Sequence, residues 1–315
     1  YEIDEYAANA SASLSITNPY YLKIAARIVI DNHQKNTQRS FVDKMRKLYL
    51  NQDNQGKINS LIAQDFFKYV EEHQDFIERT IDYNRDFYLD FFGFQTFTRS
   101  YSMKVDEKPI ERPQDMFMRT AIDLHMNTCD TVEEELQNIK TTYEALSLKF
   151  YTHASPTYYN AGSEKKQYAS CFLLGTHDSR EGIMRTADHI SEISKYSGGI
   201  GVHINCLRGT GAKIRGTNGR SSGIVPWLKI YNEVTKGFNQ GGRRPGSAAF
   251  YIMPHHPDIM KFIEITRNGG TEEMRARAIF TSLWIPDIFM ERVRDGALWS
   301  TFDPDSCGDL SDYTG

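Results

Sequence analysis

The sequence is short of the features that would set it apart from ordinary folded chains. It has four cysteines, Cys129, Cys171, Cys206 and Cys307, and no two of them make a CxxC pair. That excludes a disulfide scaffold and a zinc ribbon, and makes a reducing cytoplasm the default compartment. No run approaches the roughly 18 consecutive apolar residues a membrane span needs, so an integral membrane role is excluded. The opening residues Tyr1-Glu2-Ile3-Asp4-Glu5 are acidic and lack the basic-then-apolar layout of a secretory signal. The net charge is only −4, which gives no general case for nucleic-acid binding. Internal repeats and low-complexity tracts are missing as well.

What is there suits a globular enzyme. The 315 residues are 40% hydrophobic and 25% charged, enough for one large domain or two ordinary ones with a substantial core. The first 150 residues hold only two glycines, Gly56 and Gly93, as a packed helical region would. Residues 21–30 and 132–139 carry apolar side chains at threefold and fourfold spacing and read as helices. Asn18-Pro19 is a plausible helix start. Glu71, Glu72, Asp75, Glu78 and Asp82 read as one acidic, solvated face.

Near residue 150 the texture changes. Residues 168–174 and 201–207 are short apolar runs bounded by turn residues, so they read as strands. Between them Ile183, Ala187, Ile190 and Ile193 line one helical face, and a further helix is expected from about Pro226 to Phe238. Strand, helix, strand, helix argues for an α/β region with parallel strands. Asp178-Ser179-Arg180-Glu181 has the spacing of a capping box, with Asp178 as the cap. Composition alone makes Cys171 a small buried hydrophobe.

Twelve of the 22 glycines fall between Gly198 and Gly246. From Lys195 to Gly246 there are nine basic residues against one acid, Glu233, so this stretch is +8 in a chain of −4. Glycines let backbone N–H groups approach an anion, and arginine forks match phosphate oxygens. A phosphorylated small molecule is the natural ligand; basic surface turns are the plainer alternative. The familiar nucleotide motifs do not match. There is no GxxxxGK[ST], and Gly199-Ile-Gly201 is followed by Ile204 where a dinucleotide fingerprint needs glycine.

Several ordered strings point to one family. They are Thr152-His-Ala-Ser-Pro-Thr157 with Asn160-Ala-Gly162, Ser170-Cys-Phe-Leu-Leu174, Ser197-Gly-Gly-Ile-Gly-Val202, Arg208-Gly-Thr-Gly211 and Arg215-Gly-Thr-Asn-Gly219. Gln240-Gly-Gly-Arg-Arg-Pro-Gly246 and Trp284-Ile-Pro-Asp287 follow in order. Together they resemble the large (alpha) subunit of class I ribonucleotide reductase. Arg85-Asp-Phe87, Phe91-Phe-Gly-Phe94 and Arg112-Pro-Gln114 resemble its helical domain, so the likeness spans essentially the whole chain. It implies an α/β fold in which an N-terminal all-helical domain precedes the first part of a ten-stranded α/β barrel. The implied divisions are residues 1–37, a remnant of the ATP-cone regulatory domain, then a helical domain over 38–150. The barrel portion with its dNTP specificity site would occupy 151–315.

The activity so implied is radical-based reduction of ribonucleoside diphosphates to 2′-deoxyribonucleoside diphosphates. By the same resemblance Cys171 is one member of a redox pair that becomes a disulfide each turnover, and such thiol pairs exchange without a metal. Ser155, Ser170 and Gly199 resemble substrate-binding positions. Asp178, Ser179 and Arg180 resemble the nucleoside side of the effector site, and Arg208, Arg215 and Gly216 its phosphate side. Lys195 matches an effector contact on a helix that packs against a second copy of the subunit. Gln240, Arg243 and Arg244 lie in the loop that couples effector to substrate, a loop one residue short against some members. Lys35 is similar to a nucleotide-contacting lysine of the ATP cone. The implied ligands are dNTP or ATP effectors with Mg2+, and the electrons come from thioredoxin or glutaredoxin. No covalently bound cofactor and no metal are expected on this chain. The diiron-type radical cofactor belongs to the small (beta) subunit, and neither nucleic acid nor membrane is an expected partner.

The sequence also departs from the pattern. The family's Asn-x-Cys-x-Glu string is absent; Asn127-Thr-Cys129-Asp-Thr131 is the nearest and lies out of order, so Cys129 reads as a decoy. The second redox cysteine, the tyrosine pair of the radical path and a C-terminal CxxC are not found either. The chain is therefore expected to act only with the missing C-terminal part, on the same polypeptide or a separate chain. The alternative is a dNTP-binding and dimerisation module without catalysis.

Overall fold

The computed structural model describes residues 2–238 and 246–307. Contacts divide the chain into two compact units, Tyr1–Tyr168 and Ala169–Gly315. Among the described residues no helix is long and apolar enough to cross a membrane.

The first unit is helical because its apolar residues recur on helical faces. Helices α1 (Glu2–Ser13) and α2 (Tyr20–Asn36) bury Ala8, Ala25, Ala26 and Ile30 against Phe91, Phe94 and Phe97. Pro19 caps α2, and the Asn18 side chain accepts from Tyr20 N–H at 3.0 Å, so the proline stands just before the first turn. Next come α3 (Phe41–Tyr49), α4 (Gln64–Glu72), α5 (Gln74–Thr80) and α6 (Phe91–Thr96), whose end widens into a π-helical turn, Phe97–Tyr101. A two-stranded hairpin, β1 (Lys104–Val105) and β2 (Lys108–Pro109), leads to α7 (Pro113–His125), α8 (Val132–Ser147) and the short α9 (Ser155–Asn160). One expectation needs correcting. Glu71, Glu72 and Asp75 are exposed, but Glu78 is half-buried and accepts from Ser40 Oγ at 2.8 Å and Val42 N–H at 3.1 Å. Folding brings α5 against the start of α3, where unpaired amides favour a carboxylate.

Buried charge organises this unit. Arg119 and Glu111 are both fully buried, with Nε–Oε1 at 2.6 Å and Nη2–Oε2 at 3.1 Å. Arg119 Nη1 also donates to the carbonyls of Tyr158 at 3.1 Å and Ala161 at 2.7 Å, tying α9 to α7. Gly162 N–H donates to Asp123 at 2.7 Å, and Gly162 carbonyl accepts from Ala63 N–H at 2.7 Å. Residues 155–162, polar in texture, are thus held to the helical unit by hydrogen bonds that no local pattern announces.

The second unit is α/β. Strand β3 (Cys171–Gly175), helix α10 (Arg180–Lys195) and strand β4 (Gly199–His203) make a parallel βαβ unit. A hairpin, β5 (Thr210–Lys213) and β6 (Arg220–Ser222), and helix α11 (Val225–Gly237) lead to β7 (Ala248–Ile252). Helix α12 (Ile259–Glu264), strand β8 (Phe280–Leu283) and helix α13 (Asp287–Arg294) follow. Among the described residues the four parallel strands lie in the order β3-β4-β7-β8 and form an open sheet. Residues 204–207, expected as strand, instead leave the sheet in a turn. His256 Nε2 bonds Leu207 carbonyl at 2.7 Å there, and burial lowers that imidazole's pKa.

Helices cover one face of the sheet. Ile200, Val202, Ala248, Phe250 and Ile252 pack there with Ile183, Ala187 and Ile190 of α10 and Leu228 and Tyr231 of α11. A Cβ at Gly198 would lie 2.5 Å from Ile193 Cγ2 and 2.7 Å from Phe172 Cε2, so only glycine lets the end of α10 approach β3 this closely.

Candidate functional site

Alternation along the strands decides which side chains are available for chemistry. Phe172 and Leu174 turn to the covered face of the sheet, while Cys171 and Leu173 turn away and are exposed. Cys171 stands opposite Gly199 in the parallel register, and Leu173 opposite Gly201. The bare glycine backbone beside Cys171 leaves its sulfur uncovered, so the composition-based reading of a buried hydrophobe is overturned. Ser170 Oγ lies 3.6 Å from Cys171 Sγ, and Ser170 carbonyl accepts from Gly199 N–H at 2.7 Å. Ser170, Cys171 and Gly199 therefore form one small open patch at the edge of the sheet. An exposed thiol on a rigid strand can exchange with another thiol or a disulfide.

Ser155 belongs to the helical unit. It is the first residue of α9, half-buried, with Oγ 2.7 Å from Tyr101 Oη. Cys129, the decoy, lies before α8 and accepts from Asn138 Nδ2 at 3.3 Å. Lys35 is exposed and paired with Asp31 at 2.5 Å.

A second cluster gathers at the N-terminal end of α10. The cap is Ser179, whose Oγ accepts from Gly182 N–H at 3.0 Å, and not Asp178 as the spacing implied. Asp178 is drawn elsewhere because Arg208 Nε donates to its Oδ2 at 2.8 Å. Arg208 Nη1 also donates to Lys213 carbonyl at 2.7 Å, which fixes the guanidinium against β5. Arg215 and Gly216 form the tip of the β5–β6 hairpin, with Gly216 at φ +73°, where a side chain would be strained. Arg180 is exposed and pairs with Glu181 at 2.6 Å. Asp178, Ser179, Arg180, Arg208, Arg215 and Gly216 thus share one end of the unit. Lys195 stands at the opposite end of α10, about 22 Å away at 1.5 Å per residue. Gln240, Arg243 and Arg244 lie outside the described residues.

Sequence reasoning missed the acids of this cluster. Asp305 Oδ1 accepts from Arg215 Nη2 at 3.2 Å and stands 3.8 Å from Arg208 Nη2. Asp303 accepts from Gly209 N–H at 2.8 Å. Asp258, almost fully buried, accepts from Thr210 N–H at 2.9 Å, Thr210 Oγ1 at 2.7 Å and Lys261 Nζ at 3.1 Å. Burial alone would raise the Asp258 pKa, but the Thr210 hydrogen bonds and the Lys261 ammonium outweigh it and hold the carboxyl below its ordinary value. Two arginines of the +8 stretch, Arg208 and Arg215, are therefore met by counter-charge from outside it, at residues 178 and 305. Only their separation in sequence hid this, 90 positions in the case of Arg215 and Asp305.

Residues 87–166 match the family model described as ribonucleotide reductase, all-alpha domain, and residues 169–315 that described as ribonucleotide reductase, barrel domain. The chain is 43% identical over its whole length to the ribonucleoside-diphosphate reductase large chain of Cryptosporidium parvum, covering 38% of that protein. It is 42% identical to the large subunits of Arabidopsis thaliana and vaccinia virus (strain Copenhagen), covering 38% and 40% of them. The chain spans about two fifths of the length of these relatives.

Proposed function

The chain belongs to the ribonucleotide reductase large-subunit family, and on that premise we propose that it serves as the N-terminal part of a ribonucleoside-diphosphate reductase large subunit. The observation that supports this most directly is the exposed Cys171 thiol beside the Ser170–Gly199 backbone contact on an open parallel sheet. In this reading Cys171 is one of two thiols that reduce the substrate's 2′ carbon. The 2′-hydroxyl leaves as water, a C–H bond replaces the C–O bond, and the two thiols become a disulfide. Thioredoxin or glutaredoxin restores the dithiol. Ser170 and Gly199 contact the ribonucleoside diphosphate, and Ser155, in the other unit, is read as a substrate contact on the resemblance alone. The sequence holds no Asn-x-Cys-x-Glu string, so hydrogen abstraction falls to residues outside these 315, and radical generation to the small subunit with its metal.

The cluster at the start of α10 is the dNTP effector site of this proposal. Asp178, Ser179 and Arg180 face the nucleoside; Arg208, Arg215 and the hairpin at Gly216 face the phosphates with their Mg2+. A triphosphate entering there exchanges the Asp305 carboxylate for its own oxygens on Arg215 and Arg208. Lys195 is too far along α10 to reach the same nucleotide, so it serves the effector site of a second copy in a dimer. Helices α1 and α2 are the remnant of an ATP cone, and the loop through Gln240, Arg243 and Arg244 couples effector to substrate. The proposed compartment is the cytoplasm, where a thiol pair can cycle.

Native mass spectrometry of the purified protein, with every chain that accompanies it, is the first test. A polypeptide or partner carrying Asn-x-Cys-x-Glu, with CDP reduction that Cys171→Ser abolishes, supports the proposal. A lone 36.2 kDa species that binds dNTPs and dimerises without reducing CDP overturns it in favour of a binding module.

A further inference from the structure

Ser155 sits on a backbone with little freedom left. The carbonyls of Tyr158 and Ala161 are held by Arg119, Gly162 N–H is held by Asp123, and Pro156 restricts the residue before it. What remains free at Ser155 is its side-chain rotamer and the direction of its hydroxyl proton. Tyr101 meets that hydroxyl at 2.7 Å. Tyr101 is itself fixed, with its ring centroid 5.0 Å from that of Tyr159 and 6.2 Å from that of Tyr158. It ends the π-helical turn that follows α6, closed by Ser102 N–H to Phe97 carbonyl at 2.9 Å. Such a turn re-aims the residues that leave it, and π turns recur at functional sites.

We propose that Tyr101 is a positioning residue for substrate binding: its phenol donates to Ser155 Oγ, so that the Ser155 O–H is left to donate to an oxygen of the ribonucleoside diphosphate. The direction follows from acidity, because a phenol is a stronger donor than an aliphatic alcohol, and a hydroxyl can accept and donate at once. Without the phenol, Ser155 O–H is free to turn to Tyr101's side or to water, and the ligand meets an unordered donor. The inference rests on the reading of Ser155 as a substrate contact.

The test is a double-mutant cycle in the complete reductase, assembled with whatever supplies the rest of the barrel and with the small subunit. Tyr101→Phe keeps the ring packing and removes only the hydroxyl. Tyr101→Phe and Ser155→Ala are each expected to raise KM for CDP about three- to tenfold, the range of one neutral hydrogen bond. Expected kcat and dNTP affinity stay within about twofold, and the double variant is no worse than Ser155→Ala alone. A wild-type KM in Tyr101→Phe, beside a raised KM in Ser155→Ala, overturns the positioning role and leaves the Ser155 reading standing. A wild-type KM in Ser155→Ala overturns both. Additive effects in the double variant show that Tyr101 acts by another route and also overturn the proposal. Should Tyr101→Phe melt below the assay temperature, the same KM comparison run below its melting temperature carries the same expectations.

Discussion

Replacing Arg119 with methionine breaks a fully buried ion pair of the helical unit. The substitution keeps an unbranched chain of similar reach, so little packing volume is lost. It strands the Glu111 carboxylate, which keeps Met103 N–H at 3.0 Å, and it uncaps the carbonyls of Tyr158 and Ala161. Breaking a buried pair from one side costs about 3–5 kcal/mol. With a urea slope of about 2 kcal/mol/M, the midpoint should fall by roughly 1.5–2.5 M. The three tryptophans, Trp227, Trp284 and Trp299, all lie in the second unit. Their fluorescence therefore follows that unit, while far-UV circular dichroism also follows the helical one. The expected result is a separated early transition in circular dichroism with the fluorescence midpoint unmoved. Glu111→Leu with Arg119→Met removes both charges and should recover at least half of the loss. A shift under about 0.5 M in Arg119→Met, or a double variant as unstable as the sum of the singles, would refute the argument that a stranded buried charge is the cost.

Three further outcomes follow from the same geometry. Gly198→Ala places a methyl group 2.5 Å from Ile193 Cγ2 and should lower stability of the second unit by about 1–3 kcal/mol, read from the tryptophan transition; an unchanged midpoint contradicts the close-approach account. Asp86 is buried, and that burial raises its carboxyl to about 7, opposed by the Gln34 amide that donates to Oδ2 at 2.7 Å. Between about pH 4 and 7 the unfolded chain releases this proton while the folded one keeps it, so this group's contribution falls as pH rises, by at most about 1.4 kcal/mol per pH unit. In Asp86→Asn the loss of urea stability between pH 5 and pH 7.5 should shrink, and an undiminished slope excludes Asp86 as its source. Asp305→Asn frees Arg215 and Arg208 of a partly exposed competitor, so calorimetric affinity for a dNTP should rise by up to about fivefold; weaker binding would mean that Asp305 assists the nucleotide.

Much of this molecule is written in local pattern. The spacing of Ile183, Ala187 and Ile190 predicts α10, and glycine-bounded apolar runs predict β3 and β4, because burying one face of an element leaves a periodic trace. Ordered strings such as Arg208-Gly-Thr-Gly211 carry the family, since a loop that must turn tightly and present donors tolerates few residue types. Other features were decided only by tertiary structure. Sequence could not expose Cys171; that required a neighbouring strand to present glycine beside it. Nor could it prefer Ser179 to Asp178 as the cap, because both oxygens suit an open helix end until Arg208 claims one of them. Asp305 and Tyr101 were invisible for the same reason. Each acts on a residue far away in the chain, at Arg215 and at Ser155, and hydrogen bonds depend on a few ångströms of approach that only the completed fold supplies.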